Sequence, residues 1–292
     1  MKKEPLSPKN DFVFKKVFGG NTPVLTDFLK AVLDLPDDEY QWIEVLDPNL
    51  RPENIDDKYC ILDIRLHTKS KNVIDIEIQV KYQDFIWKRI QFYAAKMLVE
   101  QAKSGDSYKM LPRVISILIA DFVLIKENEE LHNRFRLYDE KTKARFPDSM
   151  EIDILEIPKV RVGDESQLSN WMRFFAAKTE EDFMALAQTS PAIAEAWGVI
   201  KHLSADESAR IIAESREKAR LDMEAYQETG RKEGLQEGLQ EGLRKGLQDG
   251  RQEEKFEVAR NALREKLPVE TIMKLTGLSL DEVKRLAADF PR

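Results

Sequence analysis

Two segments of alternating apolar and polar residues, joined by a short loop, constrain the fold of this chain more than any other feature. They run from Tyr59 to Thr68 and from Val73 to Lys81. Successive side chains on a strand point to opposite faces, so each segment has an aliphatic row and a charged row. The aliphatic rows are Leu62, Ile64 and Leu66 in the first segment and Ile74, Ile76, Ile78 and Val80 in the second. The short loop predicts an antiparallel hairpin, and burial of both aliphatic rows on one side determines the parity of its register.

The charged row of this hairpin brings acidic side chains opposite one another. The simplest register sets Asp63 opposite Glu77 and Arg65 opposite Asp75, with the Cβ atoms of opposed residues roughly 5 Å apart. Two carboxylates at that distance repel each other, and a hard divalent cation with oxygen ligands would remove the repulsion. The alternative is an ordinary hairpin with a solvated polar face, in which Arg65 and Asp75 form a cross-strand ion pair. The residue pattern alone leaves both interpretations open.

Further segments predict an α/β layer architecture, in which a mixed sheet is flanked by helices. The continuous apolar run Arg113–Phe122 indicates a strand buried on both faces, and Met150–Ile157 alternates as a further strand. Helices are predicted at Asp11–Phe18, at 22–33 with Thr22 as the N-cap, and at Phe85–Gln101.

Composition and length exclude several classes of protein. The formal net charge of −7 argues against a protein coated in basic charge, although it permits a local basic patch. A single cysteine, Cys60, excludes a disulfide framework and a cysteine-based zinc cluster. No secretory signal is recognisable, and the longest apolar run, Val114–Ile125, is too short to span a bilayer. We therefore expect a soluble, cytoplasmic protein without a membrane partner.

The last third of the chain is polar and helical, and it contains a four-residue glycine repeat. Glycine recurs at every fourth position from Gly230 to Gly250, and leucine follows each of the middle four glycines. Each glycine costs about 1 kcal/mol relative to alanine inside a helix, and close approach of a partner backbone could offset that cost. We interpret the repeat as a self-association segment that makes a homo-oligomer. The alternative is a flexible, repeat-expanded spacer.

The C-terminal segment, residues 256–292, predicts a helical hairpin similar to a helix-turn-helix. Pro268 opens one helix, Gly277 forms the turn, and Ser279 with Glu282 forms a capping box for the last helix. That last helix mixes acidic and basic residues, so packing or oligomer capping is favoured over DNA binding.

Together these features divide the chain into four predicted regions. An α/β domain occupies residues 1–160, and a long helical glycine-repeat segment occupies 205–255, ahead of the hairpin. The helical extension between them, residues 161–204, supplies a set of large apolar core candidates. They are Trp171, Phe174, Phe175, Phe183, Leu186 and Trp197.

Several motifs occur in the order typical of one nuclease family. They are KNDFVFKKVF from Lys9 to Phe18, IEIQ from Ile76 to Gln79, then Arg89, Tyr93 and Ala95, the glycine repeat, and TGLS from Thr276 to Ser279. Over nearly its whole length the chain resembles the recombination-promoting nuclease, transposase-like family of the PD-(D/E)XK nuclease superfamily. The superfamily signature, an aspartate followed by (D/E)-x-K, corresponds here to Asp63 and the segment Glu77–Gln79.

The resemblance implies a restriction-endonuclease-like fold and a metal-dependent DNA endonuclease. Asp63 and Glu77 would bind Mg²⁺ or Mn²⁺, with Asp75 as a further ligand. Gln79 stands where most of the superfamily has a catalytic lysine, and because glutamine carries no charge, Lys81 is the candidate to supply it. The implied reaction is hydrolysis of DNA phosphodiester bonds with low sequence specificity, in recombination, transposition-related DNA processing or defence. The alternative is a nuclease-fold protein with little or no turnover that acts in DNA binding and assembly.

Basic residues near the predicted hairpin are candidate DNA contacts. Arg89, Tyr93 and Lys96 are spaced by four and three residues, so they lie on one stripe of a helix and can face one phosphate backbone. Lys15 approaches from the first helix, one turn after Asp11. The alternatives are a solvated helix flank for the stripe and a local ion pair between Asp11 and Lys15.

Overall fold

The computed structural model describes residues 4–50, 60–102, 105, 107–146 and 150–288, without the side chains of residues 50, 60, 61 and 110. The predicted start of the first alternating strand, Tyr59, lies outside these residues. The chain divides into one compact unit that ends at Ala219 and a second that begins at Arg220.

The first unit is built on a six-stranded mixed sheet, and two very short strands form a second sheet. The strands are β1 Glu44–Leu46, β2 Asn49–Leu50, β3 Cys60–Ile61, β4 Ile64–His67, β5 Val73–Gln79, β6 Val114–Ala120, β7 His132–Phe135 and β8 Met150–Glu156. The order in the main sheet is β1-β4-β5-β6-β8-β7, and β2 pairs with β3. Strands β5, β6 and β8 are parallel, whereas β1, β4 and β7 run antiparallel to their neighbours. This arrangement confirms the predicted mixed sheet.

Helices flank the sheet and make up nearly all of the chain after residue 166. They are α1 Asp11–Phe18, α2 Thr22–Val32, α3 Ile86–Glu100, α4 Gln167–Ala176, α5 Glu180–Leu186, α6 Pro191–Ala205, α7 Glu207–Arg264, α8 Val269–Thr276 and α9 Leu280–Ala288. Among the helices of the described residues, none combines a membrane-spanning length with sufficient apolar character.

The antiparallel hairpin forms in the predicted register, with Arg65 opposite Asp75. Its aliphatic row, which includes Ile64 and Ile76, packs into a large core shared with α1, α2, α4 and α6. Strand β5 ends at Gln79, two residues earlier than predicted. Strand alternation therefore does not determine where Lys81 points.

Two expectations for the hairpin are wrong. Leu62 packs with Val73, Ala94 and Met97 instead of with the aliphatic row, because the chain bends between β3 and β4 and the alternation is interrupted there. The polar face is also not solvated. Helix α3 packs on it and Asp75 is completely buried, so the interpretation as an ordinary amphipathic hairpin fails.

Helix α2 begins one residue earlier than predicted, at the position expected for its N-cap. The side chain of Asn21 accepts a hydrogen bond from the backbone N–H of Val24 at 3.2 Å, so Asn21 is the N-cap and Thr22 is the first helical residue. Both residue types are good caps, and the local sequence offered two candidates in succession.

Helices α4 to α6 share their core with the sheet. The aromatic side chains predicted for this core are buried, and Leu186 is partly buried at its edge. Phe183 stacks on Trp197 with ring centroids 4.6 Å apart. The segment 161–204 therefore closes the aliphatic side of the sheet and leaves the opposite side to α3.

The second unit contains most of α7 and the C-terminal hairpin. All six repeat glycines lie within α7, and a Cβ atom added at any of them would meet nothing within 4 Å. Gly277 adopts a left-handed φ of 68° at the end of α8, where glycine avoids the strain of a side chain. Ser279 and Glu282 form the predicted capping box at the start of α9.

Candidate active site

Three acidic side chains lie along β5 and at the adjoining bend, on the face of the sheet that α3 covers. Asp75 and Glu77 alternate along β5 with their side chains on this face, and Asp63 comes from the bend that precedes β4. Asp75 is completely buried, Glu77 is 6% exposed, and the Asp63 side chain is 17% exposed. The strand alternation of β5 is what places its two acidic residues on the same side.

Asp63 and Glu77 are held side by side because each carboxylate accepts a hydrogen bond from a backbone N–H on the segment that carries the other. The N–H of Asp63 donates to Glu77 Oε1 at 3.0 Å. The N–H of Ile78 donates to Asp63 Oδ2 at 3.1 Å. These bonds bring together the two residues that the hairpin register predicted to face each other, although Asp63 itself precedes the β4 ladder.

Two cations from different helices pair with Asp63 and Glu77, which we call the carboxylate couple. Lys15 of α1 places its Nζ 3.4 Å from Asp63 Oδ1. Arg89 of α3 donates from Nη2 to Glu77 Oε2 at 2.9 Å. The structure thus connects two predicted DNA contacts to the two predicted metal ligands, and Lys15 pairs with Asp63 instead of forming the local ion pair with Asp11.

Asp75 lies deeper and has no cationic partner among the described ion pairs. The hydroxyl of Ser116 on β6 donates to its Oδ2 at 3.2 Å. Within the described residues, its Oδ1 has no hydrogen-bond partner. Burial of a carboxylate oxygen without a donor is costly, and Asp153 Oδ2 on β8 is the other such carboxylate oxygen among the described residues. Asp75 differs from Asp153 in that it also has no cation in the described ion pairs.

The electrostatics of the site reflect this shortage of positive charge. The pKa of Glu77 is raised to about 7, first by burial and then by the neighbouring Asp63, while Arg89 opposes both effects. Burial raises the pKa of Asp75 well above its usual range, and Glu77 and Asp63 add to the shift. Burial also raises the pKa of Asp63, against the pull of its bond to Ile78 and of Lys15. The site therefore favours a cation or a proton.

The other predicted site residues lie around this centre. Gln79 ends β5 beside Ala120 of β6 and is partly buried, whereas Lys81 is exposed beyond the strand. The guanidinium of Arg89 lies over the ring of Tyr93, 5.3 Å from its centroid. Because Arg89 also contacts Glu77, the predicted stripe is not simply a solvated helix flank.

Sequence reasoning missed two polar groups that the fold adds to this end of the sheet. Ser116 is the one hydroxyl within the apolar strand β6, and a polar residue in a buried run is the signal that could have identified it. Lys9 Nζ lies 2.5 Å from Asp121 Oδ2, directly after β6. The N–H of Asp121 donates to the carbonyl of Gln79 at 2.9 Å, so this pair adjoins the end of β5.

The donor set fits a hard divalent cation by its chemistry. Asp63, Asp75 and Glu77 offer carboxylate oxygens, which Mg²⁺ and Mn²⁺ prefer. Across the described ranges, no group of three or more His, Cys, Asp or Glu side chains is already arranged to hold a metal ion. Mg²⁺ commonly uses one or two carboxylates together with waters and a substrate phosphate. The carboxylates of Asp63 and Glu77, with the unpaired oxygen of Asp75, therefore provide enough ligands of the right chemical type.

Comparison with known families decides where the chain belongs. The family model described as PD-(D/E)XK nuclease family transposase matches residues 8–230. The chain belongs to this family. The match confirms the predicted resemblance and the α/β fold class, and it includes every residue of the carboxylate site.

A second family model matches the C-terminal hairpin. Residues 252–288 match the C-terminal HTH domain of the Rpn/YhgA-like nuclease family, which supports DNA binding over the packing or capping role that the residue pattern favoured. The glycine repeat, apart from Gly230, lies in the interval between the two matched regions. No curated protein and no solved structure matches the chain.

Proposed function

We propose that the chain is a divalent-metal-dependent DNA endonuclease that hydrolyses phosphodiester bonds with low sequence specificity. One observation carries this proposal: the buried Asp75 and Glu77 of β5 and the partly buried Asp63 beside them face only two cations in the described ion pairs. In a member of the PD-(D/E)XK nuclease family, this deficit of positive charge favours a metal site over a structural cluster.

Each acidic residue has a distinct place in the proposed site. Asp63 and Glu77 bind the Mg²⁺ or Mn²⁺ ion, because hydrogen bonds from the backbone of Asp63 and of Ile78 keep both carboxylates together. Asp75 is the further ligand through its unpaired Oδ1. A bound divalent ion supplies positive charge to the scissile phosphate and lowers the pKa of a water nucleophile.

Gln79 and Lys81 occupy the position of the superfamily's catalytic lysine and the position two residues beyond it. The amide of Gln79 can orient a water or a phosphate oxygen by hydrogen bonding, but it supplies no charge. We assign the missing charge to Lys81, which follows the end of β5. Arg89, Tyr93, Lys96 and Lys15 form the proposed DNA-contacting surface.

A second function is favoured by Gln79. A neutral side chain at the lysine position is what a nuclease-fold protein without turnover would carry, and such a protein would bind DNA and assemble through its tail. Recombination, transposition-related DNA processing and defence are the biological settings that we propose for either function, in the cytoplasm.

A plasmid-nicking assay separates the two functions. Wild type is incubated with supercoiled plasmid in Mg²⁺, in Mn²⁺ and in EDTA, alongside Asp63→Ala, Glu77→Gln and the control Asp84→Asn, an exposed carboxylate between β5 and α3. We expect metal-dependent nicking by wild type and the control. We expect a loss of about 10²-fold or more in the two site variants, as for removal of a charge-stabilising group. Nicking that persists in EDTA, or equal rates in Asp63→Ala, would reject metal-dependent cleavage at this site, and no nicking by wild type in either metal would favour the second function.

A further inference from the structure

The two cations at the site occupy positions that a bound metal ion and a DNA phosphate would both affect. Lys15 and Arg89 each contact an oxygen of a proposed metal ligand, at 3.4 Å and 2.9 Å. Both cations are also proposed DNA contacts. A divalent ion at the same carboxylates would lie close to both of them, and like charges in a poorly solvated site repel strongly.

We propose that Arg89, assisted by Lys15, is a built-in counter-ion that a divalent metal ion displaces from the carboxylate couple, and that the displaced cations then bind DNA phosphate. This inference rests on the proposed function. It makes Arg89 a positioning residue whose partner changes from Glu77 to DNA, and it couples metal binding to DNA binding.

The surroundings of Arg89 favour such an exchange. Its Nη1 donates to Gln83 Oε1 at 3.3 Å, and its guanidinium lies over Tyr93. These contacts hold the side chain on α3 without Glu77, and the guanidinium has five donors to share. The Arg89 side chain is 23% exposed, whereas that of Glu77 is 8% exposed, so the cation has a route to solvent that the carboxylate lacks.

Lys15 is the weaker of the two counter-ions. Its side chain is 37% exposed, and its contact with Asp63 is longer than the contact between Arg89 and Glu77. A flexible, well-hydrated ammonium in a long contact is easily displaced. Removing Lys15 should therefore change the affinity for metal in the same direction as removing Arg89, but by less.

Metal affinity without DNA provides the first test. Calorimetry with Ca²⁺ and Mn²⁺ at pH 8.5 compares wild type with Arg89→Met and Lys15→Met. The control is Lys88→Met, which removes a neighbouring exposed charge that belongs to none of the described ion pairs of the site. If Arg89 competes with the metal, Arg89→Met should bind the ion about 5-fold or more tightly, the lower end of typical coupling. Lys15→Met should show a smaller gain, and Lys88→Met should match wild type.

The opposite result has a clear meaning. Equal or weaker binding by both Arg89→Met and Lys15→Met, with normal binding by wild type, would show that the cations position the ligands, and it would overturn the inference while leaving the proposed function intact. No binding by wild type would overturn both. Because Lys15 is exposed on α1, its variant provides the test even if Arg89→Met does not fold.

DNA affinity provides the second test, because coupling between two ligands is reciprocal. Fluorescence anisotropy with a short duplex, in EDTA and in Ca²⁺, should show several-fold tighter binding by wild type in Ca²⁺. This enhancement should be lost in Arg89→Met and largely kept in Arg89→Lys, which preserves the charge. If Ca²⁺ enhanced DNA affinity equally in wild type and Arg89→Met, the proposal that the displaced Arg89 binds DNA phosphate would be contradicted.

Discussion

Strands β5 and β8 of the same sheet both carry buried acidic side chains, but they balance the charge differently. Three carboxylates on β8, Glu151, Asp153 and Glu156, are at most 2% exposed. They are as deeply buried as Asp75 and Glu77 on β5. Burial of acidic residues therefore does not by itself identify a functional site in this molecule.

The β8 carboxylates are matched by cations from neighbouring segments. Glu151 pairs with Arg113 at 2.7 Å and also with Arg136. Asp153 accepts from Arg134 at 2.8 Å and lies 2.6 Å from His132 Nε2. A further buried pair, between Glu156 and Lys159, completes the group.

Glu156 forms that further pair with Lys159 at 2.7 Å and also accepts from two backbone N–H groups, those of Leu124 and Ile125. Every acidic residue of the β8 group thus has a cation, whereas Asp75 of the β5 group has none among the described ion pairs. A buried carboxylate without a cation therefore indicates a ligand site better than burial alone does.

We expect the largest effect when a carboxylate is removed from the β8 group, in which every acidic residue has a cation. Glu156→Ala leaves Lys159 buried without its carboxylate and removes the acceptor for two backbone N–H groups. We expect the free energy of unfolding to fall by about 3–5 kcal/mol, as is typical when one partner of a buried pair is removed. Urea denaturation measures this change. A loss as small as that of an exposed substitution would show that the β8 ion pairs do not stabilise the fold, and the contrast with the β5 group would fail.

A divalent cation would supply the positive charge that the β5 carboxylates lack. Mg²⁺ should stabilise wild type, because a ligand that binds only the folded state adds about 2.7 kcal/mol at a concentration 100 times its dissociation constant. Glu77→Gln should lose most of this stabilisation, whereas Glu151→Gln on β8 should retain it. Thermal denaturation with and without Mg²⁺ tests both variants. Equal stabilisation of wild type and Glu77→Gln would place the ion elsewhere.

The pH dependence of stability tests whether the charge on Glu77 of the β5 group is unfavourable in the absence of metal. The folded pKa of Glu77 is raised from 4.5 to about 7, so the contribution of its protonated form is fully present below pH 4.5 and is lost as the pH rises to about 7. Without metal, wild type should therefore lose stability relative to Glu77→Gln between these pH values. Urea denaturation at pH 5, 6, 7 and 8 measures the difference. A difference that grew in favour of wild type would contradict the assigned cause.

The sequence predicted local features well and long-range partners poorly. Alternation and a short loop were enough to place Asp75 opposite Arg65, because both act within one hairpin. They could not supply Lys15, whose partner Asp63 is distant in sequence and meets it only through tertiary packing. Charge balance depends on such partners, so the difference between the two groups is visible only in the fold.

Edges and bends escaped prediction for a related reason. Strand β7 is short, polar and at the edge of the sheet, so it has no buried row to produce an alternating pattern. The bend before β4 interrupted the alternation at Leu62 and delivered Asp63 to the site. Lys81 retains its proposed role, although it lies beyond the strand that was expected to orient it.

The glycine repeat of α7 provides a control for both groups of carboxylates, because every residue from Gly230 to Gly250 is exposed. We propose that this segment makes a homo-oligomer through close backbone contact. Methyl groups at Gly238→Ala and Gly242→Ala fit within one chain, where each adds about 1 kcal/mol of helix stability, but they would separate two closely packed helices.

Light scattering after size exclusion distinguishes the two roles of the repeat. If the helices pack closely, the double alanine variant should dissociate at concentrations where wild type remains oligomeric, and a chain truncated before Met223 should be monomeric. Plasmid nicking per chain should stay within about 2-fold of wild type, because the substitutions change neither buried carboxylate group and exposed substitutions have small effects. An unchanged oligomer in the double variant would instead favour the spacer, since a helix that merely connects two regions gains stability from alanine and loses no contact.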